Sequence, residues 1–347
     1  MKVRPALWGV VMAVAVIWPQ DLRPPVRVKA AQIPSQLEEE IADVCIRVIR
    51  DSSLYEEGWD TLSQPQFWRA AMHLDPEVIL VNFAANRQIV DTLSLSGWQQ
   101  FSDKQKKAYE DSLRKEFDLG KKDEIYFTTG RSHFYRYESI LRHIDRSLTM
   151  FAEEGVDPWF AQAILLIESP GRLQYSTDGA YGAFQLMKGV AKDMGLTIND
   201  TIDERENLEA SAKGAARLIH RVCLPKTRDI LNRYGLEYEE SDTWFKLMVL
   251  HVYHAGARNV ERVIRKINPK EGGAELITEL WQTKGRRFGN ASQNYSQIIL
   301  AAFMEIDELL ERKGILCPPK VISHSALRGV SPEVLEKSMW AEYGEYE

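Results

Sequence analysis

The amino-acid sequence predicts a mainly α-helical protein, and three observations predict it. Apolar residues recur at helical spacing through nearly every segment after residue 35. Capping signals open several of these segments, and glycines stand where they would end. With 347 residues, 44% of them apolar and 27% charged, the chain can bury one substantial core or two modest ones.

Residues 1–30 read as a signal peptide or N-terminal anchor. Lys2 and Arg4 give a positive start, and Ala6 to Trp18 form an apolar run closed by Pro19. The run is shorter than the roughly 20 apolar residues a spanning helix needs. Val28-Lys29-Ala30 offers a small-x-small cleavage site, but well beyond the run. Cleavage and a retained anchor with membrane association are both compatible with this pattern. Either way an exported protein of the periplasm or cell envelope is expected.

Residues 31–137 are expected to form a helical N-terminal region. Leu37 to Arg50 sets Leu37, Ile41, Val44, Cys45 and Val48 along one helical face. Ser102-Asp103-Lys104-Gln105 is a capping box opening a charged helix to about Phe117. Val78 to Phe83 fits a helix or a strand, and Asp123 to Thr128 is the best local strand.

A second region, residues 138–313, is more regular. Tyr137 to Glu154 predicts a helix ended by Gly155, and Asp157-Pro158 starts the next one. Trp159 to Ile167 is apolar around almost its whole circumference, which places it in the middle of a domain. Further helices are expected at Leu186–Met194, Asn207–Cys223, Asp242–His254, Ala257–Ile267, Leu276–Gln282 and Ser292–Arg312. Gly195, Gly256 and Gly314 stand at expected helix ends. Residues 314–347 lose the periodicity and are expected to be a peripheral tail.

Several function classes are disfavoured. The formal net charge of −6, without a basic stripe, argues against nucleic acid as a partner. Cys45, Cys223 and Cys317 are too few and too scattered for a disulfide framework. His251 and His254 lie three apart, but no HExxH pattern or third acidic ligand accompanies them, so no metal is expected. No phosphate loop, dinucleotide fingerprint or Gly-x-Ser-x-Gly elbow occurs, and no cofactor is expected. Trp159, Trp244 and Trp281 could stack on sugars, yet large aromatics more often fill cores.

Glu168 is the first charge after the apolar run, and Ser169-Pro170-Gly171 end the helix beside it. Apolar neighbours at that exit penalise a carboxylate and hold its proton near neutral pH. The location alone fits equally an acid that pairs with a base at a helix end. A loop with two glycines follows, Ser176 to Met187, in which Gly179 and Gly182 let backbone approach a ligand. Gln185 brings amide donors and acceptors suited to sugar hydroxyl and acetamido groups.

Four ordered segments then carry a resemblance. Glu168-Ser169, the run Ser176-x-x-Gly179-Ala180-x-Gly182-x-x-Gln185-x-Met187, Tyr253-His254-Ala255-Gly256, and Asn294-Tyr295 before an apolar helix together resemble lytic transglycosylases of the goose-type lysozyme-like fold. The likeness covers residues 138–313. Residues 31–137 more loosely resemble the helical region that precedes the catalytic domain in membrane-bound members.

The resemblance implies Glu168 as the sole catalytic carboxyl group, with peptidoglycan glycan strands as substrate. Ser176, Gln185 and Met187 would line the cleft, and Tyr253 and Tyr295 would flank Glu168. His254 would stand where the family has asparagine. It also implies cleavage between N-acetylmuramic acid and N-acetylglucosamine with 1,6-anhydro ends. This chain departs from the pattern in three places. The Glu168-to-turn segment is one residue short, His254 replaces asparagine, and Ala291 stands where an acidic residue is usual. A hydrolase of lysozyme type and a decayed glycan-binding scaffold are the alternatives.

Overall fold

A computed structural model describes residues 46–170 and 179–313. The expectations for residues 1–45, for Ser176 and for 314–347 therefore lie outside the described residues.

Residues 46–50 have no regular secondary structure, and the chain then forms α1 (Ser53–Glu56), a 3-10 turn (Trp59–Thr61) and α2 (Ser63–His73). The helix expected through Arg50 is thus corrected, because long-range partners hold residues 47–50 in another shape. The buried amide of Gln162 accepts from Ile49 N at 2.7 Å and donates to Ile49 O at 2.8 Å. Arg47 reaches Asp145, and Arg50 reaches Asp307 and Glu311. Backbone groups committed to Gln162 cannot also serve a helix.

The region is also not wholly helical. Strands β1 (Val78–Phe83), β2 (Ile89–Ser94) and β3 (Ile125–Thr129) form an antiparallel sheet in the order β2-β1-β3. Leu80 pairs with Thr92 on one side and Thr128 on the other. Leu80 joins the main core, whereas Val81 packs in a smaller cluster with Tyr109 and Leu113. A central strand covered on both faces reads as a continuous apolar run, which is why the spacing of Val78–Phe83 was ambiguous. Between β2 and β3 lie α3 (Leu95–Gln100) and α4 (Asp103–Glu116). The capping box of α4 forms as expected, with Ser102 and Gln105 serving each other's backbone N–H.

The second region contains α5 (Leu141–Glu153), entered through a 3-10 turn at Tyr137–Ile140, and α6 (Trp159–Glu168). Asp157 Oδ1 accepts from Trp159 N at 2.9 Å, satisfying one donor at the start of α6. A two-stranded hairpin, β4 (Ala180–Tyr181) and β5 (Leu186–Met187), precedes α7 (Lys188–Asp193), so the helix expected from Leu186 starts two residues later. Then come α8 (Leu208–Leu218), a π-turn (Ile219–Cys223) and α9 (Leu224–Arg233), the last not anticipated. Pro225 has no N–H to offer residue 221, and the helix accommodates it by widening just before. The chain continues with α10 (Thr243–Ala255), α11 (Ala257–Ile267), α12 (Ala274–Gln282) and α13 (Asn290–Lys313).

One core cluster runs from Ile46 to Leu310, crossing both regions. Helix α13 packs on α2, α6 and α10, and so links them. Trp159 stacks on Phe303 at 5.1 Å, and Trp159, Trp244 and Trp281 are all buried. Their aromatic area stabilises the fold and is not open to sugar. Cys223 is buried and free. Among the described residues, no helix is long and apolar enough to cross a membrane.

Candidate active site

Glu168 is the last residue of α6, whose preceding residues Trp159 to Leu166 are all buried. The helix stops because Ser169 leaves helical geometry, with φ −138° and ψ 50°, and Pro170 follows. Ser169 Oγ donates to Ala183 O at 2.9 Å, stitching the helix exit to the glycine turn. The Glu168 side chain is partly exposed at this junction. Burial pushes its carboxyl up to about 7, while a hydrogen bond from Tyr295 pulls the other way. Tyr295 Oη donates to Glu168 Oε1 at 2.8 Å. Near neutral pH both the acid and the carboxylate are therefore accessible to this group.

Tyr295 comes from the first turns of α13 and is buried. Its ring stacks on His254, with centroids 4.3 Å apart and planes 24° from parallel. His254, in the last turn of α10, keeps an exposed edge, and desolvation by its neighbours lowers its pKa. Tyr253 points differently from Tyr295. Its hydroxyl donates to Phe184 O at 2.7 Å and so supports the turn rather than the carboxyl group. Burial raises the Tyr253 pKa well above its usual value, and the charge of Glu168 raises it further, which places the two groups in one electrostatic environment.

The turn between β4 and β5 is built by its glycines and one arginine. Gly182 has φ +81°, and a Cβ there would come within 1.9 Å of Arg205 O. Gln185 also has a left-handed backbone, φ +47°, and its Nε2 donates to Gly182 O at 2.9 Å. Met187, at the end of β5, is 45% exposed and offers an apolar surface beside the turn. Buried Arg205 donates through Nη1 to Gly179 O at 3.1 Å and Leu186 O at 3.0 Å. Asp203 neutralises it through Nε and Nη2 at 2.9 and 2.7 Å.

Behind the site, Trp281 Nε1 donates to Ser296 Oγ at 2.7 Å. The same hydroxyl also hydrogen-bonds His251 Nε2 at 2.8 Å, with the direction set by the ring tautomer. Burial pushes the His251 pKa down to about 3, so the ring stays neutral. His251 thus serves the core, while His254 faces the site through its stacking on Tyr295.

Sequence reasoning missed the residues that hold this arrangement. Arg205 and Asp203 shape the turn, together with Ser169, which the motif contained but whose bond to Ala183 O it did not show. Arg87, left-handed at φ +59°, donates to Asn82 Oδ1 at 3.1 Å, Asn290 Oδ1 at 2.9 Å and Asn294 Oδ1 at 2.5 Å. It holds the first turns of α13 at Asn290, where the helix starts, and at Asn294, one residue before Tyr295. No local signal distinguishes such buried arginines from surface ones.

Among curated proteins, none matches this chain. Residues 150–275 match the family model described as the transglycosylase SLT domain, a stretch that holds Glu168, the glycine turn, Tyr253 and His254 and stops short of Tyr295. In a helical fold of lysozyme-like type, that match supports a peptidoglycan lytic transglycosylase-like function in general and implies peptidoglycan as the substrate.

Proposed function

We propose that the chain cleaves the bond between N-acetylmuramic acid and N-acetylglucosamine in peptidoglycan, leaving 1,6-anhydro ends. The observation that carries this reading is the Glu168 carboxyl, half-open at the exit of a buried helix and hydrogen-bonded by Tyr295. Its pKa of about 7 suits a group that must both give and take a proton at neutral pH.

Most glycosidases use two carboxyl groups. The resemblance implies a single catalytic carboxyl group, and a one-acid route is therefore the reading proposed. Glu168 gives its proton to the glycosidic oxygen as the bond to the muramic anomeric carbon breaks. The acetamido carbonyl of the same sugar bonds to that carbon, forming an oxazolinium ion, as in substrate-assisted glycosidases. The Glu168 carboxylate then takes the proton of the C6 hydroxyl. The C6 oxygen displaces the acetamido oxygen, the anhydro ring closes, and Glu168 is protonated again. Tyr295 steadies the carboxylate between the two transfers. Ser176, Gln185, Met187, Tyr253 and His254 would line the glycan cleft. The site acts outside the cytoplasm, with residues 1–30 as the export segment.

Digestion of purified sacculi by the protein and by Glu168→Gln tests this. Soluble fragments lighter by one water than hydrolytic ones are expected, with release about 10²–10⁴-fold slower in the variant. Full-mass reducing ends would instead make the protein a hydrolase of lysozyme type. Binding of sacculi without release would make it a scaffold, and full activity of Glu168→Gln would remove Glu168 from the mechanism.

A further inference from the structure

Arg258, Arg262, Arg286 and Arg287 line one pocket of about 370 Å³, together with Asn259 and no acidic residue. Several arginines elsewhere pair with carboxylates, as Arg146 does with Glu209, Arg228 with Glu240 and Arg233 with Glu261. The exposed Arg131, Arg136, Arg221 and Arg265, which do not pair among the described residues, are not gathered in one pocket with each other. The four pocket arginines make no ion pair among the described residues, although the chain is acidic overall. Arg262 touches only the amide oxygen of Asn259, at 3.3 Å. Four guanidinium groups held together without counter-charge repel one another, and an anion that enters relieves that repulsion.

The pocket is assembled rather than accidental. Arg286 and Arg287 sit at the tip of a tight turn closed by Gly285 N to Phe288 O at 2.8 Å. Phe288 is fully buried and packs on His251, which anchors the turn. Gly285 lies so near Val263 that a Cβ would come within 3.0 Å of its side chain. Lys266 Nζ donates to Lys284 O at 2.6 Å, tying α11 to the same turn. The two arginine-bearing segments therefore keep their spacing. Both also adjoin the candidate site in the chain: Arg258 follows His254 by four residues, and Arg287 precedes Tyr295 by eight.

We infer that this pocket binds carboxylates of the peptide stem attached to the glycan strand, at its acidic residue and its free C-terminus. The inference rests on the peptidoglycan reading given above. A stem projects from the lactyl group of the muramic sugar that Glu168 attacks. The segments that carry the arginines lead directly into those that carry His254 and Tyr295, so the pocket is placed to meet the stem rather than the glycan. Planar guanidinium groups pair with carboxylates through two parallel hydrogen bonds. Their contribution falls on binding, since the pocket touches no reacting atom.

The test compares uncross-linked strands bearing tetrapeptide stems with the same strands stripped by an amidase. The wild-type protein should show a KM roughly tenfold lower on stem-bearing strands, as expected for one or two charge-assisted bonds. The Arg258→Gln, Arg262→Gln, Arg286→Gln, Arg287→Gln combination should lose that preference, with kcat and the KM for stripped strands unchanged. A control removing equal charge at the exposed Lys104, Lys115, Lys121 and Lys122 should keep the preference. Equal KM values on both strands for the wild type, or equal loss in the lysine control, would overturn the inference. If neither strand is cleaved, the catalytic reading fails, and binding of a labelled free tetrapeptide still decides the pocket. That binding should weaken about tenfold in the arginine variant and also with added salt. A variant that keeps tetrapeptide binding but no longer binds acidic phospholipid vesicles would assign the pocket to a membrane surface instead.

Discussion

Tyr295 donates a hydrogen bond to Glu168 at 2.8 Å across 127 residues of chain, from the start of α13 to the end of α6. The bond opposes the burial that raises the Glu168 pKa, because a donor stabilises the carboxylate more than the acid. Two elements packed in one core thereby tune one proton.

Tyr295→Phe should keep the ring stacked on His254 and remove only the donor. The Glu168 pKa then rises above about 7, and the alkaline limb of the pH–rate profile moves upward by on the order of one unit. Profiles of muropeptide release between pH 5 and 9 measure this. An unmoved limb, or one displaced downward, would mean that the tyrosine does not hold the carboxylate.

The same shift predicts how stability varies with pH. Glu168 has an ordinary value of 4.5 and is raised to about 7 in the fold. Between these values the folded state binds more protons than the unfolded one, so stability falls as pH rises through the window. Glu168→Gln keeps an acceptor for Tyr295 and has no charge to bury. It should be more stable than wild type at pH 8, by on the order of 1–3 kcal/mol, and indistinguishable near pH 4. Urea unfolding at the two pH values provides the comparison.

How much of this was legible in the sequence depended on the range of the forces involved. The start of α4 was readable because Ser102 and Gln105 satisfy each other within one turn. Glu168 was readable because an apolar helix and a proline–glycine break frame it locally. Residues 46–50 were misread because Gln162, Asp145 and Asp307, all distant in sequence, claim their backbone and side chains. The sheet at 78–129 was only half visible, since its central strand is apolar on both faces. In the site, Tyr295 could be picked out by motif, but its anchor Arg87 could not. An arginine with a left-handed backbone in the connection between β1 and β2 carries no signal that it reaches Asn294.

Gly182 offers a test of the turn that is separate from the chemistry. Alanine there must adopt φ +81° and collide with a backbone carbonyl, so Gly182→Ala should displace the Arg205 segment. A stability loss of about 2–4 kcal/mol and a strong loss of muropeptide release are expected. Gly189→Ala, in α7 with open space around it, is the matched control. It should be neutral or stabilising by about 0.5–1 kcal/mol. Thermal melts and activity of the two variants side by side separate turn geometry from a general intolerance of glycine replacement.

The buried carboxylate of Glu305 should matter to stability in a way that pH reveals. It accepts from Arg69 Nε at 2.7 Å and pairs with His73, both on α2, and so fastens α2 to the helix that carries Tyr295. Burial pushes the Glu305 carboxyl up, but its bonds to His73 and Arg69 outweigh this and leave it below the usual range. The bond to Glu305 raises the His73 pKa. The Glu305 contribution is present above its unfolded value of 4.5 and is lost as pH falls through the lower folded value. The His73 contribution is complete below 6.5 and is lost as pH rises through the raised folded value. Glu305→Gln removes both together and leaves Arg69 paired only with the exposed Glu308, a cost of about 1–3 kcal/mol. The difference in Tm between wild type and variant should therefore peak between pH 4.5 and 6.5 and narrow on either side. Above neutrality it should narrow only in part, because Arg69 keeps its charge there. A difference independent of pH would show that His73 contributes packing rather than charge.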